Sequence, residues 1–180
     1  MIDNDAIMLN EEGGAFVYMG EGGPRVPYDV VRVRVHPSVT IIPDRAFQDR
    51  NKLEEVELYE GLLEIGKYAF DNCISLKRVK IPSTVTLIGD GAFTRCKKME
   101  KIEVLEGIEE IGRLAFSDCK SLKHIHIPTT IKKIGVRAFR WVPLSSIDLP
   151  DGMESIGAYT FVYCKFNRLT PNSSEYHVHP

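Results

Sequence analysis

The chain lacks the long apolar runs, the excess of one charge and the dense cysteine content that mark three common classes of protein. No apolar stretch in its 180 residues approaches the ~20 residues of a membrane-spanning helix. Its 23 Lys and Arg against 25 Asp and Glu give a net charge of −2, which excludes a strongly basic nucleic-acid-binding protein. Four cysteines are too few for a scaffold built on disulfides. The composition therefore predicts one globular domain with an ordinary hydrophobic core.

Motifs that carry catalysis or bind cofactors are also missing. The sequence holds no Gly-x-Ser-x-Gly, His-Glu-x-x-His or phosphate-binding loop, and the glycines at 20–23 lack the spacing of a nucleotide-binding loop. No cysteines form the Cys-x-x-Cys pairs that are typical of zinc sites. We therefore expect no catalytic residues, no cofactor and no metal, and an enzyme is the function class that the sequence favours least.

A period of 23 residues organises most of the chain. The dipeptide Ala-Phe recurs five times at this spacing, and Thr160-Phe161 continues the series after 22 residues. An Ile-Gly dipeptide recurs with it. The period is too short for two-helix repeats, which need about 33 residues, and falls within the roughly 20–29 residues of leucine-rich repeats. The Ala-Phe pairs are Ala46-Phe47, Ala69-Phe70, Ala92-Phe93, Ala115-Phe116 and Ala138-Phe139.

Within each copy, apolar residues alternate over a short stretch and predict a β-strand. In Leu76-x-x-Val79-x-Ile81, Val79 and Ile81 are two residues apart, so they share one face of a strand while Lys80 points to the other. We expect each copy to hold one short parallel strand, a turn, and a short helix that carries Ala-Phe-x-x-Cys. About six stacked copies form an α/β repeat solenoid with a core that is continuous between neighbours.

Three cysteines, Cys73, Cys96 and Cys119, share one position of the repeat and are expected on one inward track. Stacked copies hold equivalent side chains parallel, whereas a disulfide needs a turned geometry. We therefore predict small buried thiols at these positions.

The full pattern, Ala-Phe-x-x-Cys-x-x-Leu-x-x-Ile-x-Ile-Pro-x-x-Val-x-x-Ile-Gly, resembles the BspA-like subclass of leucine-rich repeats. The resemblance spans residues 31–180 and is fullest from Ala69 to Gly89. Thr84 replaces the asparagine that common leucine-rich repeats carry, which fits the subclass. The resemblance implies a curved, non-catalytic recognition scaffold that binds proteins, often at a cell surface. By contrast, Met1 to Asp5 carries acids where a signal peptide has bases, which favours an intracellular protein.

Two rows of polar side chains, mostly charged, occupy the outward strand positions. In one row the sign changes at every copy, so at a strand spacing of about 4.8 Å each charge faces opposite neighbours. Two interpretations stay open: the rows neutralise themselves and fix the register, or they line a concave recognition face. The alternating row is Arg34, Glu57, Lys80, Glu103, His126 and Asp148, and the second, which turns basic, is Arg32, Glu55, Arg78, Lys101, His124 and Ser146.

We predict a non-enzymatic scaffold that binds another protein through this charged strand face. Two alternatives remain: a structural module that self-associates end to end, and a binder of an acidic glycan or other polyanion through Arg78, Lys101 and His124. No nucleic-acid partner and no membrane span are expected. The candidate partner-binding residues are Glu57, Arg78, Lys80, Lys101, Glu103, His124 and His126.

A second candidate patch is aromatic. Trp141, the only tryptophan, and Tyr163 occupy equivalent positions of adjacent copies, where other copies carry polar residues such as Asn72. Trp and Tyr are enriched among the residues that dominate binding energy, which favours a contact patch. The alternative is local repacking around a one-residue deletion near Val142 and Pro143.

The ends of the chain differ from the repeats. Residues 1–30 do not follow the period and carry six acids against one base, and we expect them to form an acidic N-terminal cap with a pair of strands. The solenoid is predicted over residues 31–171, with its last strand at 168–170, and residues 172–180 form a polar tail. A weakly covered C-terminal end is the feature that favours end-to-end association.

Overall fold

Each complete copy of the repeat contributes short strands to a parallel β-solenoid. The computed structural model describes residues 9–10 and 14–165, and within these ranges the strands form two six-stranded sheets. The first sheet comprises, in spatial order, β1 Leu9–Asn10, β2 Ala15–Tyr18, β3 Arg32–Val35, β5 Glu55–Glu57, β7 Arg78–Ile81 and β9 Lys101–Val104. The second comprises β4 Ile41–Ile42, β6 Glu64–Ile65, β8 Leu87–Ile88, β10 Glu110–Ile111, β11 Lys133–Ile134 and β12 Ser155–Ile156.

The register of the first sheet places equivalent residues of successive copies side by side. Between β7 and β9, Val79 pairs with Ile102 and Ile81 with Val104. These apolar side chains are buried, whereas the residues between them point outward. The strand predicted from the alternation is therefore confirmed in these copies, and a slip by one residue would expose the buried set.

The strands of the first sheet end at β9 within the described part of the chain. In the next two copies Ile125 and Ile147 keep equivalent buried positions, but the segments around them form no strands. The strand predicted at residues 168–170 and the tail predicted at 172–180 lie outside the described residues.

The first copy is covered by β2. This strand is parallel to β3 and antiparallel to β1, and its Phe16 and Tyr18 are buried. The Tyr18 ring meets Phe47 edge-on, with 4.8 Å between ring centroids and an interplanar angle of 61°. Tyr18 thereby closes the N-terminal end of the aromatic core. The division of the chain at residue 30 stays a prediction.

The Ala-Phe-x-x-Cys segment forms turns, and the prediction of a short helix in each repeat is wrong. In one copy Tyr68 and Asn72 have φ angles of 55° and 59°, in the left-handed region that interrupts an α-helix. The N–H groups of Tyr68, Phe70 and Asn72 bond to carbonyls of the next copy, at 2.7–2.9 Å. The N–H groups between them bond three residues back, as Ala69 does to Gly66 at 3.3 Å.

No helix able to cross a membrane occurs in the described ranges.

The repeated phenylalanines form one continuous stack through the core. Centroid distances run from 4.8 Å for Phe47 and Phe70 to 5.7 Å for Phe139 and Phe161, and adjacent rings tilt by no more than 8°. The stack fixes the spacing of the copies, because each ring contacts the ring of the next copy. The fully buried members are Phe47, Phe70, Phe93, Phe116 and Phe139.

The cysteines lie beside this stack as free thiols. Cys73, Cys96 and Cys119 are fully buried, and each donates its S–H to a phenylalanine carbonyl of the preceding copy, with the sulfur 3.1–3.2 Å from the oxygen. Burial raises the pKa of the Cys73 thiol to about 12. The prediction of small buried thiols is confirmed for these three, and Cys164 is only partly buried.

The native protein is expected to resist thiol reagents. Because the thiolate is the reactive form, Cys73 should react with a disulfide reagent at pH 8 at least ~100-fold more slowly than an exposed thiol. Burial also raises the pKa of Cys164 to about 12, but its partial exposure should make it the first to be labelled. Mass spectrometry of partly labelled protein gives the order, and all four should react rapidly in urea. Fast native labelling of Cys96 would contradict the buried assignment.

Two glutamates, Glu60 and Glu106, also join neighbouring copies. The carboxylate of Glu60 accepts bonds from the Ser83 N–H at 3.1 Å, the Ser83 hydroxyl at 2.9 Å and the Thr84 N–H at 3.3 Å. The Glu106 carboxylate makes the same three bonds with residues 129 and 130, at 3.2, 3.0 and 3.3 Å. These bonds hold the pKa of both carboxyls below the usual range. This contact therefore recurs at every second junction, 46 residues apart.

Candidate recognition surface

The outward face of the first sheet forms an open groove of about 850 Å³. Its floor consists of the outward residues of β3, β5, β7 and β9, because their apolar neighbours are turned into the core. The charged side chains that line it are Arg32, Arg34, Glu55, Glu57, Lys77, Arg78, Lys80, Glu100, Lys101 and Glu103.

At one end of the groove the charges pair across strands. Arg32 Nε lies 3.2 Å from Glu55 Oε2, and Arg34 Nε lies 2.8 Å from Glu57 Oε2. The bond from Arg34, followed by one from Tyr59, lowers the pKa of the Glu57 carboxyl. Each pair is half-exposed and contributes at most about 1 kcal/mol to stability. Here the alternating signs do form ion pairs between copies.

In the middle of the groove the pairing changes direction. Lys101 Nζ pairs with Glu103 of its own strand, and this lowers the pKa of the Glu103 carboxyl. Lys80, which is in register with Glu103, and Arg78, which is in register with Lys101, form no ion pair with any carboxylate of the described residues. The alternation of sign along the row therefore does not become a continuous ladder of ion pairs.

Two predicted residues, His124 and His126, lie outside the set that lines the groove. Both are exposed on a segment that forms no strand. His124 Nδ1 lies 3.2 Å from the Ser145 hydroxyl. The pKa of Glu106 is lowered first by the N–H of Thr129 and, as the smallest contribution, by the charge of His126. The structure thus brings five of the seven predicted face residues together and leaves the two histidines beyond them.

The groove also includes cations and acids that the list of candidates omitted. Arg32, Arg34 and Glu55 belong to the same two rows, one or two copies closer to the N terminus. Lys77 and Glu100 line its edge, and Lys77 Nζ lies 2.7 Å from Glu54 Oε2. The strand periodicity could have predicted Arg32, Arg34 and Glu55. The position of Lys77 and Glu100 at the edge of the groove depends on how the copies curve, which the periodicity does not show.

The aromatic pair lies in the turns and does not line the groove. Trp141 and Tyr163 stack with 4.0 Å between centroids and 16° between planes, and they are 42% and 50% exposed. Both have left-handed backbones, with φ of 61° and 63°. The neighbouring Tyr159 is 50% exposed, and the Arg137 guanidinium lies 5.6 Å from its ring centroid. Sequence reasoning missed these last two residues, which share the turn edge with the predicted pair.

Comparisons with known proteins agree with this architecture. The family model described as "BspA type Leucine rich repeat region" matches six copies over residues 40–168. No curated protein matches the chain.

Three solved structures resemble it over much of its length. A leucine-rich repeat protein from Bacteroides ovatus is 37% identical with a TM-score of 0.58, and the match covers 62% of this chain and 30% of that one. A leucine rich cell surface protein from Faecalibacterium prausnitzii is 28% identical with a TM-score of 0.70, covering 77% and 38%. The leucine rich repeat protein of T. pallidum is 26% identical with a TM-score of 0.69, covering 75% and 77%. The chain therefore spans about a third of the first two proteins.

Proposed function

The chain belongs to the BspA-type leucine-rich repeat family, and from that premise we propose that it is a non-enzymatic scaffold that binds another protein through the groove of its first sheet. The observation that carries this proposal is the groove itself, which has a volume of about 850 Å³ and is lined by ten charged side chains, eight of them on strands. Its partner is a protein and not a nucleic acid, because acids are interspersed with the cations throughout.

The groove is suited to recognition because its charges are held in place before a partner arrives. Cross-strand pairs fix Glu55 and Glu57, and the bond to Lys101 fixes Glu103. A surface that is already ordered loses less side-chain entropy on binding. Glu57, Arg78, Lys80, Lys101 and Glu103 are the proposed contacts, while His124 and His126 extend them beyond β9, and Trp141 with Tyr163 forms a second patch.

Photo-crosslinking tests where a protein partner contacts the scaffold. A benzophenone-bearing residue placed at Glu57 or Glu103 should form a covalent adduct with a specific protein in native cell extract. The matched control carries the same residue at Lys133, which lies exposed on the second sheet. We expect a several-fold higher adduct yield from the groove positions. Adducts from Lys133 alone would overturn the proposal, and adducts from Tyr163 alone would move the contact to the aromatic patch.

Two alternative functions give different results in solution. A module that self-associates through its ends would increase in mass with concentration, which light scattering measures. A binder of acidic glycans would retain heparin with an affinity that falls steeply as salt is added. The excess of cations in the groove, six against four acids, is the observation that favours this second alternative.

A further inference from the structure

The central strand of the groove, β7, presents two cations, Arg78 and Lys80. Arg78 and Lys80 are exposed, and the alternating Val79 and Ile81 are buried, so both cations project from the same face. Neither forms an ion pair with a described residue. Residues two apart on a strand are separated by about 6.6–6.8 Å. The groove therefore offers two positive charges at the spacing of alternate residues in an extended chain.

The nearest acids are already occupied. Glu55 is in register with Arg78 but binds Arg32, and Glu103 is in register with Lys80 but binds Lys101. The neighbouring strands thus hold these carboxylates in pairs with other cations, so the donor groups of Arg78 and Lys80 can bind an external anion.

We propose that the partner contributes an extended acidic segment in which two carboxylates, two residues apart, dock along β7 on Arg78 and Lys80. The inference rests on the proposed function, because it names the chemistry of the protein that binds this same groove. An extended segment that runs along β7 repeats the spacing of its cations, so that both carboxylates are paired at once. Arg78 can bind its carboxylate in a two-pronged geometry, which Lys80 cannot.

The arrangement of the other charges favours such a peptide over a uniformly charged glycan. Across the strands the sign alternates through Arg34, Glu57, Lys80 and Glu103. A polyanion that crosses the groove would meet carboxylates as well as cations and lose part of its attraction. A segment that follows β7 lies directly over Arg78 and Lys80, and the flanking carboxylates Glu55, Glu57 and Glu103 are each paired with another cation.

Two synthetic peptides of identical composition test the spacing. The probe is a capped seven-residue peptide of Thr and Val with glutamates at positions three and five. The control has them at positions three and four, so that in an extended chain they point to opposite faces. Titration of the ¹⁵N-labelled full chain should show amide shifts centred on β7 for the probe and binding that is several-fold weaker for the control. Equal binding of both peptides, or no binding of the probe, would overturn the inference.

Paired variants of the protein locate the contact. The double substitution Arg78→Gln and Lys80→Gln should weaken binding of the probe about 2–30-fold, the loss expected for two exposed charge pairs. The matched double variant, Lys132→Gln and Lys133→Gln, removes two cations that lie outside the groove and should change binding by less than about 2-fold. Unchanged probe binding in the double variant, or a heparin fragment that displaces the probe and shows the same Arg78 dependence at higher affinity, would overturn the acidic-peptide assignment.

The crosslinking experiment separates this inference from the proposed function. If adducts form at Glu57 and survive in the Arg78→Gln, Lys80→Gln background, the groove binds a protein but not through these cations. If adducts form only outside the groove, the proposed function fails, whatever the peptides show.

Discussion

Truncation of Phe93 to alanine is expected to lower the free energy of unfolding by about 3–5 kcal/mol, the range for deletion of a buried aromatic ring. Phe93 is fully buried in the middle of the stack, 5.1 Å from the Phe70 ring and 5.5 Å from the Phe116 ring. Its removal leaves a cavity and takes a stacking partner from both neighbours. Urea unfolding followed by far-UV circular dichroism measures the change.

Phe93→Leu is the matched control, because it retains most of the volume and loses only the stacked ring. We expect it to cost less than half as much as the alanine substitution, about 1–1.5 kcal/mol. A loss below about 1 kcal/mol for Phe93→Ala would mean that the copies close over the cavity and that the stack does not set their spacing.

The spacing of this stack explains why so much of the fold was predictable from the sequence. Burial of Val79 and Ile81 follows from their two-residue alternation, and burial of Phe70 and Cys73 follows from their recurrence at one phase. Such patterns are visible in the sequence because equivalent residues of every copy pack against the neighbouring copy in the same way. One conserved phase therefore predicts the strands of the first sheet and the core together.

The helix prediction failed because the deciding hydrogen bonds are not local. A segment such as Ala69 to Cys73 is compatible with a helical turn when it is considered alone. In the solenoid the N–H of Phe70 instead reaches the carbonyl of Ala92 at 2.7 Å, a partner that exists only when the next copy is stacked. The two-residue strands of the second sheet, such as β8, were also missed, because two residues are too short for periodicity to register.

The candidate surface shows the same limit at the level of side chains. The row positions of Lys80, Lys101 and Glu103 were predictable from alternation. The ion pair between Lys101 and Glu103 of the same strand was not predictable. It depends on side-chain conformation and on the pairs that Arg32 and Arg34 already form with Glu55 and Glu57. That pairing leaves Lys80 without an ion pair, and the pairing of Glu55 with Arg32 leaves Arg78 without one, so the feature that defines the docking proposal comes from the structure.

Substitution of Gly107 by alanine is expected to lower the free energy of unfolding by about 2–6 kcal/mol, since it combines two costs. Gly107 has a φ of 126°, a conformation that costs other residues about 1–3 kcal/mol. A Cβ atom there would lie 1.9 Å from the carbonyl oxygen of Ser83, so the backbone of the preceding copy must move. Overpacking of this kind adds about 1–3 kcal/mol.

Gly61 provides the matched control, because it precedes Gly107 by two copies and occupies the same position beside a glutamate. Its φ is 102°, and a Cβ atom there would meet nothing within 4 Å. Gly61→Ala should therefore lower the free energy of unfolding only by the cost of the backbone conformation, about 1–3 kcal/mol. The difference between the two variants in urea unfolding then gives the cost of the steric overlap at Gly107. Equal losses of stability in the two variants would show that the backbone at Ser83 moves away from the added Cβ atom without a measurable free-energy cost. A larger loss at Gly107 would show a tight backbone contact between its copy and the preceding one, where the Ser83 side chain is held by Glu60 and cannot retreat freely.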